Sequence, residues 1–68
     1  MSKTIYVMCE VFFDWHEFRT PVAVSETIEG LEAQKDRDLP LVKYGPDEEN
    51  EVATGDGYSH YCWEEFSL

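Results

Sequence analysis

The sequence predicts an α+β domain, a small antiparallel sheet of three to four strands with one helix packed on it, in ββαββ order. Three observations carry that expectation. Residues 4–13, "TIYVMCEVFF", are rich in β-branched and aromatic types, as strands are. Residues 25–38, "SETIEGLEAQKDRD", open and close with helix signals. Ten aromatic residues among 68 supply apolar area, about 150–250 Å² each, to a chain with room for one domain, 1–68. A chain this short buries only about 60% of its unfolded surface, so the core is expected to be small.

Taken in order, the first strand alternates with period two. Ile5, Val7, Cys9, Val11 and Phe13 share one face, the expected core face, and Tyr6, Met8, Glu10 and Phe12 share the other. "DWHE", residues 14–17, turns the chain, and "FRTPVAV", residues 18–24, returns antiparallel. Pro21 has no N–H to give a ladder, which places that strand at an edge or a bulge.

Ser25 is the expected helix N-cap. Glu26 and Glu29 suit the positive end of the helix, and Lys35 and Arg37 suit the negative end. Pro40 stops it. Ile28 and Leu31 are its two anchors on the sheet, and Gly30 costs about 1 kcal/mol relative to Ala. "LPLVKY" predicts a short third strand, "KYGPDEENEVATGDG" an acidic loop ending in a turn, and "YSHYCWEEFSL" a fourth strand. Expected core residues are Val7, Val11, Phe13, Ile28, Leu31 and one of Trp63 or Phe66.

Net charge is −10, from fifteen acids against five bases, and it is unevenly placed. Residues 39–68 hold Lys43 alone against Asp47, Glu48, Glu49, Glu51, Asp56, Glu64 and Glu65. Such a surface repels nucleic acid and anionic membrane and attracts basic partners. "MSKTIYVMCEVFF" lacks the pattern of a signal peptide, and no uncharged run reaches the ~20 residues of a membrane helix. A cytoplasmic protein is expected, with Cys9 and Cys62 as free thiols.

Sites of known chemistry fit poorly. Aligned on an EF-hand loop from Asp47, the chain offers Glu49 and Glu51 as oxygen donors. It then has Val52 where glycine is required and Tyr58 where the bidentate glutamate belongs. Cys9, His16, His60 and Cys62 lack the pairwise spacing of zinc ligands, and two buried cysteines in paired strands with two partly exposed histidines is the simpler reading. A Cys62–His60 dyad has no evident third group, and "GDGYS" lacks the lysine and helix of a phosphate loop. No metal and no cofactor is expected, and no enzymatic activity.

What remains is the presentation of charge. On a helix, Glu29, Glu32 and Asp36 would fall within about 60° of one another and span about 10 Å. With Asp47, Glu48, Glu49 and Glu51 in the loop and Glu64 and Glu65 in the last strand, they would imitate part of a phosphate ribbon, one charge per ~1.7 Å of duplex. Few i,i+4 pairs neutralise them. Trp15 in its turn, and Tyr44 and Tyr58 flanking the loop, add aromatic contacts of the hot-spot kind.

In size, acidity and lack of a catalytic motif, the chain resembles small bacteriophage-encoded proteins that inhibit a host or defence enzyme, DNA mimics among them. "SETIEGLEAQKDRD" and "PDEENE" on a compact β-rich scaffold carry the resemblance, which is one of type along the whole chain. It implies a stoichiometric inhibitor in the basic nucleic-acid channel of a nuclease, polymerase, restriction or CRISPR effector. The expected function is therefore non-enzymatic binding to a basic nucleic-acid-binding protein, without direct contact to nucleic acid or membrane. The alternative is an accessory or assembly module that binds a protein through its aromatic β-face and is acidic only for solubility.

Overall fold

The computed structural model describes residues 3–46 and 57–68. Its elements are β1 (Thr4–Asp14), β2 (His16–Ser25), α1 (Ile28–Glu32), β3 (Leu41–Lys43) and β4 (Tyr58–Ser67). One sheet holds all four strands in the order β2-β1-β4-β3. The sheet is mixed. β1 pairs antiparallel with β2 and β4, but β3 lies parallel to β4, which corrects the all-antiparallel expectation. A parallel neighbour needs a crossover of a dozen or more residues, and residues 44–57 supply that length.

β2 is an edge strand, as Pro21 requires, and Pro21 also sits at an irregularity. Met8 pairs with Ala23 and Cys9 with Pro21, so Val22 is the extra residue of a bulge. A second bulge falls in β4, where Val11 pairs with His60 and Phe12 with Tyr58, leaving Ser59 unmatched. Beyond it Gly57, at φ 90°, packs so tightly against the Phe12 ring and the Phe13 carbonyl that a Cβ there would overlap both. Only glycine fits that combination of backbone angle and space.

The helix is far shorter than its signals suggest. Thr27 rather than Ser25 is the N-cap, its hydroxyl accepting from the Gly30 N–H at 3.0 Å. Ser25 accepts from the Thr27 N–H and lies where a Cβ on Gly30 would fall, so a larger residue there would have to displace that hydroxyl. After one turn the bonds tighten, with Gln34 N–H donating to the Leu31 carbonyl at 2.9 Å. Further helix would use the amides of Asp36 and Arg37. Both donate instead to the hydroxyl of Tyr61 on β4, at 3.2 and 3.0 Å. Lys35 Nζ donates to the Leu39 carbonyl at 2.7 Å, and the Pro40 carbonyl accepts from Tyr61 N–H at 2.8 Å. The segment is laced to the sheet by polar contacts that compete with helix.

The main hydrophobic cluster lies on the face of β1 opposite to the expected one, while Val11 and Cys62 are buried on the expected side. Met8, Leu31, Leu39 and Tyr61 are buried together, with Tyr6, Ala23, Leu41, Tyr58 and Trp63 packed around them. Of the expected core, Leu31 and Val11 are buried, whereas Val7, Phe13, Ile28 and Trp63 are half-buried and Phe66 is exposed. Because both faces of "TIYVMCEVFF" are apolar, period two alone does not choose between them. The choice is made by what β4 offers. Met8 pairs with Trp63 and Glu10 with Tyr61, and Tyr6 meets Trp63 edge-on at 5.5 Å. Burying each large side chain on that face contributes about 1.5–3 kcal/mol.

Candidate protein-docking surface

The expected row Glu29–Glu32–Asp36 does not form, because α1 ends at Glu32 and Asp36 lies beyond it with its backbone bound to Tyr61. All three are exposed, and Glu32 is bridged to Lys35 at 2.8 Å. Asp47, Glu48, Glu49 and Glu51 lie outside the described residues. Glu64 and Glu65 point to opposite faces of β4, as alternation demands, the first half-buried and the second exposed.

The register brings together a pair that spacing along the chain does not reveal. Tyr6 lies opposite Glu65 across β1 and β4. Burial pushes the Tyr6 phenol above its ordinary range, and the charges of Glu65 and Glu29 push it the same way. The charges of two acids from different elements thus act on one phenol.

The bases are engaged within the molecule. Lys3 bridges Glu26 at 2.6 Å, Arg19 bridges Glu17 at 3.2 Å, and Arg37 bridges Glu10 at 3.5 Å. With Lys35 on Glu32, four of the five bases hold a carboxylate, and the fifth, Lys43, lies 5.7 Å from the centre of the Trp63 ring. Two of these bridges join residues distant in sequence, so i,i+4 spacing could not reveal them. Exposed pairs of this kind add little stability. Their effect is local, leaving the outward field to the remaining carboxylates.

The three expected aromatics fare differently. Trp15 is 97% exposed at the β1–β2 turn. Tyr44 is half-exposed, with the Arg19 guanidinium 4.8 Å from its ring centre. Tyr58 is half-buried: its ring packs on Phe12 at 5.0 Å, and the Arg37 guanidinium stacks 3.6 Å from its centre. Sequence reasoning missed Phe18, Val22 and Val24 as exposed apolar residues of β2. Their signal was the edge placement that Pro21 already implied.

Cys9 and Cys62 lie opposite each other in β1 and β4, Cys9 half-buried and Cys62 buried. Arg19 donates to Cys62 Sγ at 2.9 Å, spanning the face away from α1. His60 is buried rather than partly exposed, its Nδ1 2.7 Å from the Ser59 hydroxyl, while His16 is exposed. Among the described residues, no three His, Cys, Asp or Glu side chains come close enough to hold a metal. No helix among them is long and apolar enough to cross a membrane. A cleft of about 250 Å³ lined by Lys43, Tyr44, Gly45 and Pro46 is smaller than the ~300–1,000 Å³ of small-molecule sites. No protein-family model matches the chain, and no curated protein and no solved structure matches it.

Proposed function

We propose that this chain is a non-enzymatic binding protein of the cytoplasm whose acidic surface docks on a basic, nucleic-acid-binding protein and competes there with the nucleic acid. The observation that carries the reading is the internal engagement of the bases. Four hold carboxylates and Lys43 lies over Trp63, so a chain of net charge −10 turns acid outward. Glu29 and Glu65, both exposed and on different elements, are the first contact residues to test. A phage-type inhibitor of a nuclease, polymerase, restriction or CRISPR effector is the setting such a surface suits.

The immobilised protein, incubated with bacterial lysate and analysed by mass spectrometry, should retain basic nucleic-acid-binding proteins and release them to heparin or duplex DNA. With a retained partner purified, association should be about 10–10³ faster at low than at high salt. Reversing Glu29 and Glu65 to Lys should slow it and remove competition with nucleic acid. A partner that holds this protein and its nucleic acid together, with affinity flat in salt, would overturn the reading.

A second reading has its own observation. Phe18, Val22 and Val24 are exposed along the edge strand β2, which suits an assembly module that binds through its β-face.

A further inference from the structure

We infer that Trp15 is the anchor of this docking protein, a side chain held out to enter an apolar, basic-rimmed pocket on the partner. The inference rests on the docking reading and adds where the binding energy is concentrated.

Strands β1 and β2 stay paired as far as Asp14 and His16, so Trp15 alone makes the turn. That geometry puts it at φ 71°, the left-handed region, which bulky side chains rarely occupy and glycine or asparagine enters readily. Strain of this kind persists where surrounding structure enforces it, and it clusters at functional sites. Burial does not compensate it here, because Trp15 is 97% exposed. The turn needs no indole; it would be better made without one.

The surroundings are those of a hot spot. Phe18 lies nearby on β2, half-exposed, its ring 6.3 Å from that of Phe12. The acid nearest on that strand, Glu17, is held by Arg19 at 3.2 Å through both carboxylate oxygens. Trp15, set between Asp14 and His16, is thus with Phe18 an apolar point on an acidic molecule. Buried tryptophans ringed by polar contacts dominate protein interfaces. The complement of this point is an apolar pocket, and the complement of the net charge of −10 is a basic rim around it.

The test uses the full chain with Trp15→Gly and Trp15→Asn beside the double reversal Glu29→Lys, Glu65→Lys. Both Trp15 variants should melt at or above the wild-type temperature, because either residue relieves φ 71°. They should retain about tenfold less of the lysate proteins that the wild type retains, while Trp15→Phe keeps part of that retention. A lower melting temperature for both Trp15 variants, or unchanged retention by them, overturns the inference. If retention is lost by the acid reversal but not by the Trp15 variants, the anchor is wrong and the acidic reading stands. The opposite pattern removes the acidic reading and, with it, the basic rim of the proposed pocket. A wild-type protein that retains nothing overturns both.

Discussion

The two faces of β1 are both apolar, yet the described residues cover them unequally. On the α1 side, Met8 is fully buried beneath Leu31 and Leu39, with Tyr61 beside it on the sheet. On the other side, Ile5, Val7, Cys9 and Phe13 are half-buried and Val11 fully so. There the Arg19 side chain reaches across to Cys62 and Tyr44, and Val24 and Phe66 stay exposed at the far end. The strand's own hydrophobicity does not account for the difference. What differs is the fastening of the overlying layer, whose backbone is tied to the sheet by the Tyr61 hydroxyl and the Pro40 carbonyl. Apolar contact supplies the driving force, and directional polar contact selects the face.

The largest expected effect tests the comparison itself. Met8→Ala should cost about 2–5 kcal/mol, read as a lower urea midpoint with unchanged slope. Val7→Ala, one position away on the half-covered face, should cost about 1 kcal/mol. Equal costs would break the distinction between the faces.

A middle-sized effect tests the fastening. Tyr61→Phe keeps the ring but leaves the amides of Asp36 and Arg37 without their acceptor. It should cost about 1–3 kcal/mol. Amide exchange should quicken at 36 and 37 while the β1–β4 ladder stays protected. If exchange there does not change, the phenol is not what holds the segment.

The smallest effect concerns the exposed clamp Lys3–Glu26. A hydrogen bond from Lys3 and its charge hold the Glu26 carboxyl below its ordinary range, and the same contacts raise the Lys3 amine. For a lowered carboxylate, any contribution is present above its unfolded pKa and lost as pH falls through the folded one. The raised amine loses its share only in alkali. Glu26→Gln should leave melting curves nearly unchanged at neutral pH and superimposable on wild type in acid, by calorimetry across pH. A large shift would make this surface clamp comparable to the Tyr61 one.

The long strands were legible because their residues announce them: "TIYVMCEVFF" has no other good use, and Pro21 marks an edge whatever else the chain does. The helix length was not, since the amides that end it are taken by Tyr61, 24 and 25 residues further along the chain. Nor was the direction of β3, because "LVK" reads the same parallel or antiparallel and only the crossover decides. Among the candidate residues, the exposure of Trp15 came from its place in a turn. The placement of Glu65 opposite Tyr6 depends on the β1–β4 register, which sequence spacing does not encode. The helical row of acids failed with the helix that was to carry it.

The bulge at Val22 bears on how the molecule keeps apart from its own copies. A ten-residue edge strand carrying Phe18, Val22 and Val24 in the open is a template on which another chain could extend the sheet. Pro21 removes one donor from that template, and the extra residue bends the strand's final stretch out of line. Mutual repulsion between molecules of charge −10 adds a second barrier, one that weakens as salt rises or as acid neutralises the carboxylates. Under those conditions the kink in β2 is the barrier that remains against edge-to-edge growth.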